Sequence, residues 1–150
     1  MIRPATPDDL TAIRAIAVAA YAPYIPVIGR KPAPMAADYA AQIAEGWVHV
    51  ADPTGTGPVG FVVFYPAGDT MFLENIAVSR AAVGQGIGKA LMAFCETQAR
   101  QTGMTAITLY TNALMTDNLR IYPHLGYVQT DRRTEDGFDR VYFRKDLRLP

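Results

Sequence analysis

The sequence predicts an α/β fold, a mixed and mostly antiparallel central sheet flanked by helices. Three observations predict it. Apolar residues recur at helical spacing in some segments and alternate in others, and the segments follow one another as βααβββαβαββ. A strand–helix–strand unit lies inside a run of strands joined by tight turns, which requires both parallel and antiparallel pairs in one sheet. Half of the 150 residues are hydrophobic, enough to give one domain over residues 1–150 a sizeable core.

Each element has a local reason. Residues 2–5 read as a short strand. Thr6-Pro7-Asp8-Asp9 is a helix start, with a Thr cap, Pro at the first helical position and acids in the first turn. Leu10, Ile13, Ile16, Ala17 and Ala20 carry that helix to about Tyr21. Residues 22–34 hold Pro23, Pro26, Pro32, Pro34 and Gly29, so helix is expected to stop there. Ala36 to Glu45 reads as a second helix, ended by Gly46. Trp47–Ala51, Val59–Tyr65 and Met71–Val78 are β-rich segments separated by turn sequences, hence antiparallel neighbours. After the glycine-rich segment Ser79–Gly88, a helix runs to about Thr102, with Ile87, Leu91, Phe94 and Gln98 on one face and Gly103 as its stop. Thr105–Thr111 alternates as a strand, and Met115–Leu125 forms a short helix ended by Gly126. Tyr127–Thr134 and Phe138–Asp146 close as a hairpin over Glu135-Asp136-Gly137, where Asp-Gly is the turn signal.

Composition excludes several functions. Lys plus Arg and Asp plus Glu both number 14, so the formal net charge is zero, without the basic surplus that a general nucleic-acid binder needs. One cysteine, Cys95, allows neither an internal disulfide nor a cysteine-built zinc site, and no His and acid stand at metal-ligand spacing. No apolar run is expected to reach membrane-spanning length and the start lacks a signal-peptide core, so the expectation is a cytoplasmic protein without membrane contact.

The informative segment is Val83-Gly84-Gln85-Gly86-Ile87-Gly88-Lys89, between a strand and a helix. Three glycines in five residues cost regular structure roughly 1 kcal/mol each. A loop at a helix N-terminus offers unpaired N–H groups and the positive end of the dipole, which suits an anion such as pyrophosphate. A dinucleotide fingerprint would need Gly at position 89, which is Lys. A P-loop would need Gly at 83 and Ser or Thr at 90, which are Val and Ala.

The segment resembles the pyrophosphate-binding motif of the GCN5-related N-acetyltransferases (GNAT), Arg/Gln-x-x-Gly-x-Gly/Ala. Gly86-Ile87-Gly88 supplies its core, and Val83 stands where the family has Arg or Gln. Phe72 to Val78 resembles the family's fourth strand, which implies that the backbone of Ile76, Ala77 and Val78 pairs with the pantetheine of acetyl-CoA. Leu119 to Tyr127 resembles the "LY-x-x-LGF/Y" segment, which implies Tyr122 as general acid. Seven residues ahead of that Tyr, where the family often has Asn, stands Met115, so Asn112 and Asn118 are both candidates for orienting the cofactor.

What the resemblance implies is transfer of an acetyl group from coenzyme A to an amine, of a small molecule or a peptide N-terminus, by direct attack in a ternary complex. A free amine is only about one part in a few thousand neutral at pH 7, so a base is needed. Glu74 shares a strand face with Ile76 and is the base candidate, directly or through water. The strand amides around Ile76 to Val78 are the candidate oxyanion donors. Tyr21, Tyr24, Ile25, Ile28 and Arg30, together with the hairpin around 132–138, are expected to wall the acceptor site. Lys89 is read either as a phosphate contact or as a helix start, His49 as structural, His124 as surface and Cys95 as core. The charged hairpin at 132–136 reads as solvated or as a dimer edge, and a homodimer follows from family resemblance only. The rival readings are a non-catalytic acyl-CoA-binding or sensing module and a structural protein with an incidental glycine turn.

Overall fold

The computed structural model describes residues 1–147. Seven strands form one mixed sheet in the order β1-β2-β3-β4-β5-β7-β6, where β1 is Ile2–Pro4, β2 Val48–Ala51, β3 Gly60–Ala67, β4 Thr70–Val78, β5 Ala106–Asn112, β6 Val128–Glu135 and β7 Phe138–Asp146. The helices are α1 Leu10–Tyr21, α2 Ile25–Ile28, α3 Tyr39–Ala44, α4 Ile87–Gln101 and α5 Thr116–His124. The described chain divides into two compact units, Met1–Phe64 with Asn75–Cys95, and Tyr65–Glu74 with the residues from Glu96 on.

In the first unit, β1, β2 and β3 pair antiparallel, with Ile2 opposite Ala51 and Val50 opposite Phe61. α1 begins where the N–H of Thr6 donates to the Asp9 carboxylate at 2.8 Å, and Arg3 clamps that carboxylate from the other side at 2.8 and 3.0 Å. Ile13, Ile16 and Ala17 from α1 join Tyr39 and Ile43 from α3 and Val48, Val50, Phe61 and Val63 from the sheet in one buried cluster. Tyr39 meets Phe61 edge-on at 5.4 Å. Along α4, Leu91, Met92 and Cys95 face inward together with Ile87. The expected stripe is corrected in part: Phe94 and Gln98 are only half-buried.

The proline-rich stretch departs from expectation. Helix does not stop at residue 22. A 3-10 turn over Ala22–Tyr24 and α2 continue it to Gly29, whose φ of 88° ends the run. Pro23 and Pro26 occupy first-turn positions of these short helices, where the missing N–H would have no partner anyway. The joined segment Pro7–Ile28 spans 22 residues and holds an 18-residue window with a mean hydropathy of 1.5. By length and composition alone it could cross a membrane, which corrects the expectation that no run approaches that length. The second predicted helix also starts later. Ala33–Ala36 is a 3-10 turn, Ala37 is extended, and α3 begins after Asp38, whose carboxylate accepts from the N–H of Ala41 at 3.1 Å.

In the second unit, β5 pairs with β7 along its whole length, from Ala106 opposite Asp146 to Asn112 opposite Arg140, and β7 also pairs with β6. The β6–β7 turn has positive φ at Asp136 (54°) and Gly137 (78°), the backbone that a two-residue hairpin requires. β6 is the rim strand and is exposed along nearly its whole length; Asp131, Arg132 and Arg133 blunt it as a pairing edge. The parallel ladder between β4 and β5 is short. It runs from Thr70 opposite Ala106 to Phe72 opposite Thr108 and ends there, although both strands continue.

Candidate active site

The glycine loop is built as the sequence implies. β4 ends at Val78, a 3-10 turn spans Arg80–Ala82, and α4 opens at Ile87. Gly84 and Gly86 have φ of 87° and 78°, and a Cβ added at either meets nothing within 4 Å. Backbone conformation, not crowding, therefore demands glycine at both. Gly88 is different. It lies in the first turn of α4 without positive φ, and an added Cβ would make only an ordinary contact with Val78 Cγ2 at 3.6 Å. Nothing in the fold forbids a side chain there. The N–H groups of this first turn have no acceptor within the helix.

The other loop residues sort by burial. Val83, Gln85 and Lys89 are exposed, and the amide of Gln85 reaches back to Ala81 O at 3.4 Å. Ile87 is buried, its Cγ2 only 3.0 Å from where a Cβ on Gly60 would stand, so its side chain serves the core and leaves the backbone for any ligand.

Within β4, Ile76 and Val78 are half-buried while Ala77 faces the core. The Tyr21 hydroxyl lies 3.1 Å from the Ile76 carbonyl oxygen and 2.5 Å from Asn75 Oδ1. The Asn75 amide nitrogen donates to the Tyr39 hydroxyl at 2.6 Å, which in turn donates to Pro34 O at 2.5 Å. Tyr21, expected at the acceptor site, is thus joined to the strand expected to hold the cofactor. Tyr24 and Ile28 follow it along the same helical run, both half-buried, and Arg30 lies exposed just beyond its end at Gly29. Asn75 was missed by sequence reasoning. Its signal was present: it shares strand parity with Leu73 and Ala77, so it is a polar side chain on the apolar side of β4.

In the second unit, Tyr122 lies on α5 with its ring against Tyr127 (5.7 Å) and Phe143 (5.6 Å). Burial pushes its hydroxyl up to about 12. It therefore keeps its proton at neutral pH, as a proton donor must. Asn118 stands one helical turn before it, on the same face, and its amide donates to Thr111 Oγ1 at 3.1 Å. The carbonyl oxygen of Asn112 instead accepts from the N–H of Leu114 at 2.9 Å, shaping the turn after β5. Glu74 Oε1 accepts from the Tyr65 hydroxyl at 3.2 Å. Tyr65 is pushed up to about 12 by burial and by the neighbouring Glu74 charge, so it stays a donor to that carboxylate.

Other candidates are settled by packing. His49 stacks on Phe64 (5.3 Å) and touches Phe94 (4.8 Å), and burial lowers its pKa, which fits a neutral structural ring. Cys95 is fully buried. Among the described residues, no three His, Cys, Asp or Glu side chains cluster to hold a metal.

The glycine turn that opens α4 fits neither a dinucleotide fingerprint nor a P-loop. The family assignment is specific: residues 11–127 match the model of the acetyltransferase (GNAT) family, and the chain belongs to that family. No curated protein matches it by sequence. The fold is shared with the ribosomal-protein-S18-alanine N-acetyltransferase of Escherichia coli, at 21% identity and a TM-score of 0.78 over 100% of this chain and 95% of that one. The PaiA N-acetyltransferase of Thermoplasma acidophilum, solved in complex with coenzyme A, aligns over 98% of both chains at 15% identity and a TM-score of 0.79. A nourseothricin acetyltransferase aligns at 24% identity and a TM-score of 0.60, over 66% of this chain and 64% of that one.

Proposed function

We propose that the protein is an acetyl-CoA-dependent N-acetyltransferase that acts as a single domain on an amine of a small molecule or a peptide N-terminus. The observation that carries this is Gly88. Gly88 stands in the first turn of α4, where neither φ nor space requires a glycine. Close approach of a ligand to the helix backbone is the reason that remains. The residues fit such a ligand: Gly84 and Gly86 leave the loop open, and first-turn N–H groups suit a pyrophosphate.

Bound acetyl-CoA would supply an activated acetyl group, so that a C–N bond forms as the C–S bond breaks. The chain supplies the rest. Glu74 takes one proton from the incoming ammonium, directly or through water, and Tyr122 gives one to the departing sulfur. The amine's second proton balances the one Tyr122 gave, and one proton is released per turnover. Asn118, one helical turn before Tyr122 on the same face of α5, orients the cofactor. Backbone N–H groups of Ile76 to Val78 donate to the acetyl oxygen. A homodimer belongs to the same proposal and rests on family resemblance alone.

Calorimetry with acetyl-CoA, paired with thiol release on an amine panel, tests this. Tyr122→Phe should lower kcat by about 10²–10⁴ and leave acetyl-CoA affinity within twofold or so. Gly88→Leu should fold normally yet lose binding at least about tenfold. Unchanged turnover in the first variant removes Tyr122 from the chemistry; unchanged affinity in the second removes the loop. Binding without turnover on any amine would leave an acyl-CoA-binding module.

A further inference from the structure

One face of the second unit carries an aromatic row that no step above uses. Tyr65, Phe72, Tyr110 and Tyr142 stand on four strands with successive ring centroids 5.5, 5.6 and 5.4 Å apart. All four residues are half-buried. Strand alternation puts Glu74 on the same face as Phe72, and Glu135, paired with Phe138, on the same face as Tyr142. The buried Oε1 of Glu135 has no hydrogen-bond partner among the described residues. A carboxylate oxygen left so costs free energy, which is why such atoms normally have a donor.

The row already attracts cations at one end. The Arg140 guanidinium lies 4.4 Å from the Tyr110 centroid and Arg133 lies 4.1 Å from that of Tyr142. Both guanidinium groups also have acidic partners, Asp136 at 3.5 Å and Asp131 at 2.9 Å. Around Tyr110, Glu74, Glu135 and Asp136 push its phenol up, Arg140 alone pulls it down, and burial is the largest upward cause.

Resting on the acetyltransferase reading, we infer that the face formed by Tyr65, Phe72, Glu74, Tyr110 and Glu135 binds the acceptor as a primary ammonium carried on an aromatic group. The ring supplies stacking area along the row, and the ammonium meets aromatic faces and carboxylates of complementary charge. A carboxylate beside the amine, as in a free amino acid, would stand against Glu74 and Glu135 and be disfavoured.

The test uses the full chain with saturating acetyl-CoA and four acceptors: 2-phenylethylamine, n-butylamine, phenylalanine and an alanine-led tetrapeptide. The expected kcat/KM is highest for 2-phenylethylamine, by about tenfold or more over each of the others. Glu135→Gln and Tyr110→Leu should each raise its KM about tenfold, with the acetyl-CoA dissociation constant and melting temperature held near those of the parent protein. Equal or better use of phenylalanine or the peptide overturns the inference, as does an unchanged KM in both variants. Should acetyl-CoA itself fail to bind, the parent reading is the one that fails. Titration of 2-phenylethylammonium against 2-phenylethanol, followed by NMR, then still decides the face: preference for the cation sustains it, and equal or no binding sinks it.

Discussion

Asn75 shows how much one side chain can organise. Its amide nitrogen and oxygen are engaged by two phenols from two helices' worth of sequence, and the residue is 4% exposed. Replacing it with alanine withdraws a donor and an acceptor from that buried cluster, at a cost of about 1–3 kcal/mol. A lower urea midpoint with an unchanged m-value is the expected record of Asn75→Ala; an unshifted midpoint would mean that the bonds contribute nothing net. Residues of this kind were only partly legible. Tyr122, Glu74 and the glycines could be picked out because motif, alternation and turn chemistry are local. The partners of Asn75 lie 36 and 54 positions earlier in the chain, and no local pattern reports such a meeting. Likewise Tyr21 read as an acceptor wall, but its hydroxyl is tied to β4.

At the scale of elements, caps and turns were the readable features. The Thr6 start, the Gly103 stop and the Asp136-Gly137 hairpin all formed where the sequence placed them, because each is decided within a few residues. The prolines misled, since Pro in a first turn permits helix while Pro in an interior forbids it, and composition alone does not say which applies. Gly60 was passed over for the same reason in reverse: its role depends on a helix met later in the chain. A Cβ there would stand 3.0 Å from Ile87 Cγ2, 3.2 Å from Leu91 Cδ1 and 3.2 Å from Ala77 O. Gly60→Ala should therefore cost about 1–3 kcal/mol by forcing α4 off β3. Thermal unfolding measures it, and a melting temperature equal to the parent's would show that the helix shifts freely.

For the molecule as a whole, pH should expose two separate contributions to stability. His49 has a folded pKa below its ordinary 6.5 because of burial. The unfolded state therefore binds the extra proton first, so this contribution is complete above about 6.5 and is lost as pH falls below it. Asp9 is held below 3.8, chiefly by its hydrogen bonds to Arg3, so its contribution is present above that value and lost only as pH falls further. Calorimetry between about pH 3 and 8 should show the melting temperature declining in two stages, and His49→Phe should erase the upper stage alone. A single stage unaffected by that variant would refute the assignment. The sheet order was the least legible feature at this scale, because β7 inserts between β5 and β6 and pairing partners are chosen by the assembled sheet. The charged rim has one more consequence. Sheets leave unsatisfied backbone along their edges, and on β6 Asp131, Arg132 and Arg133 guard that edge against adhesion to another chain.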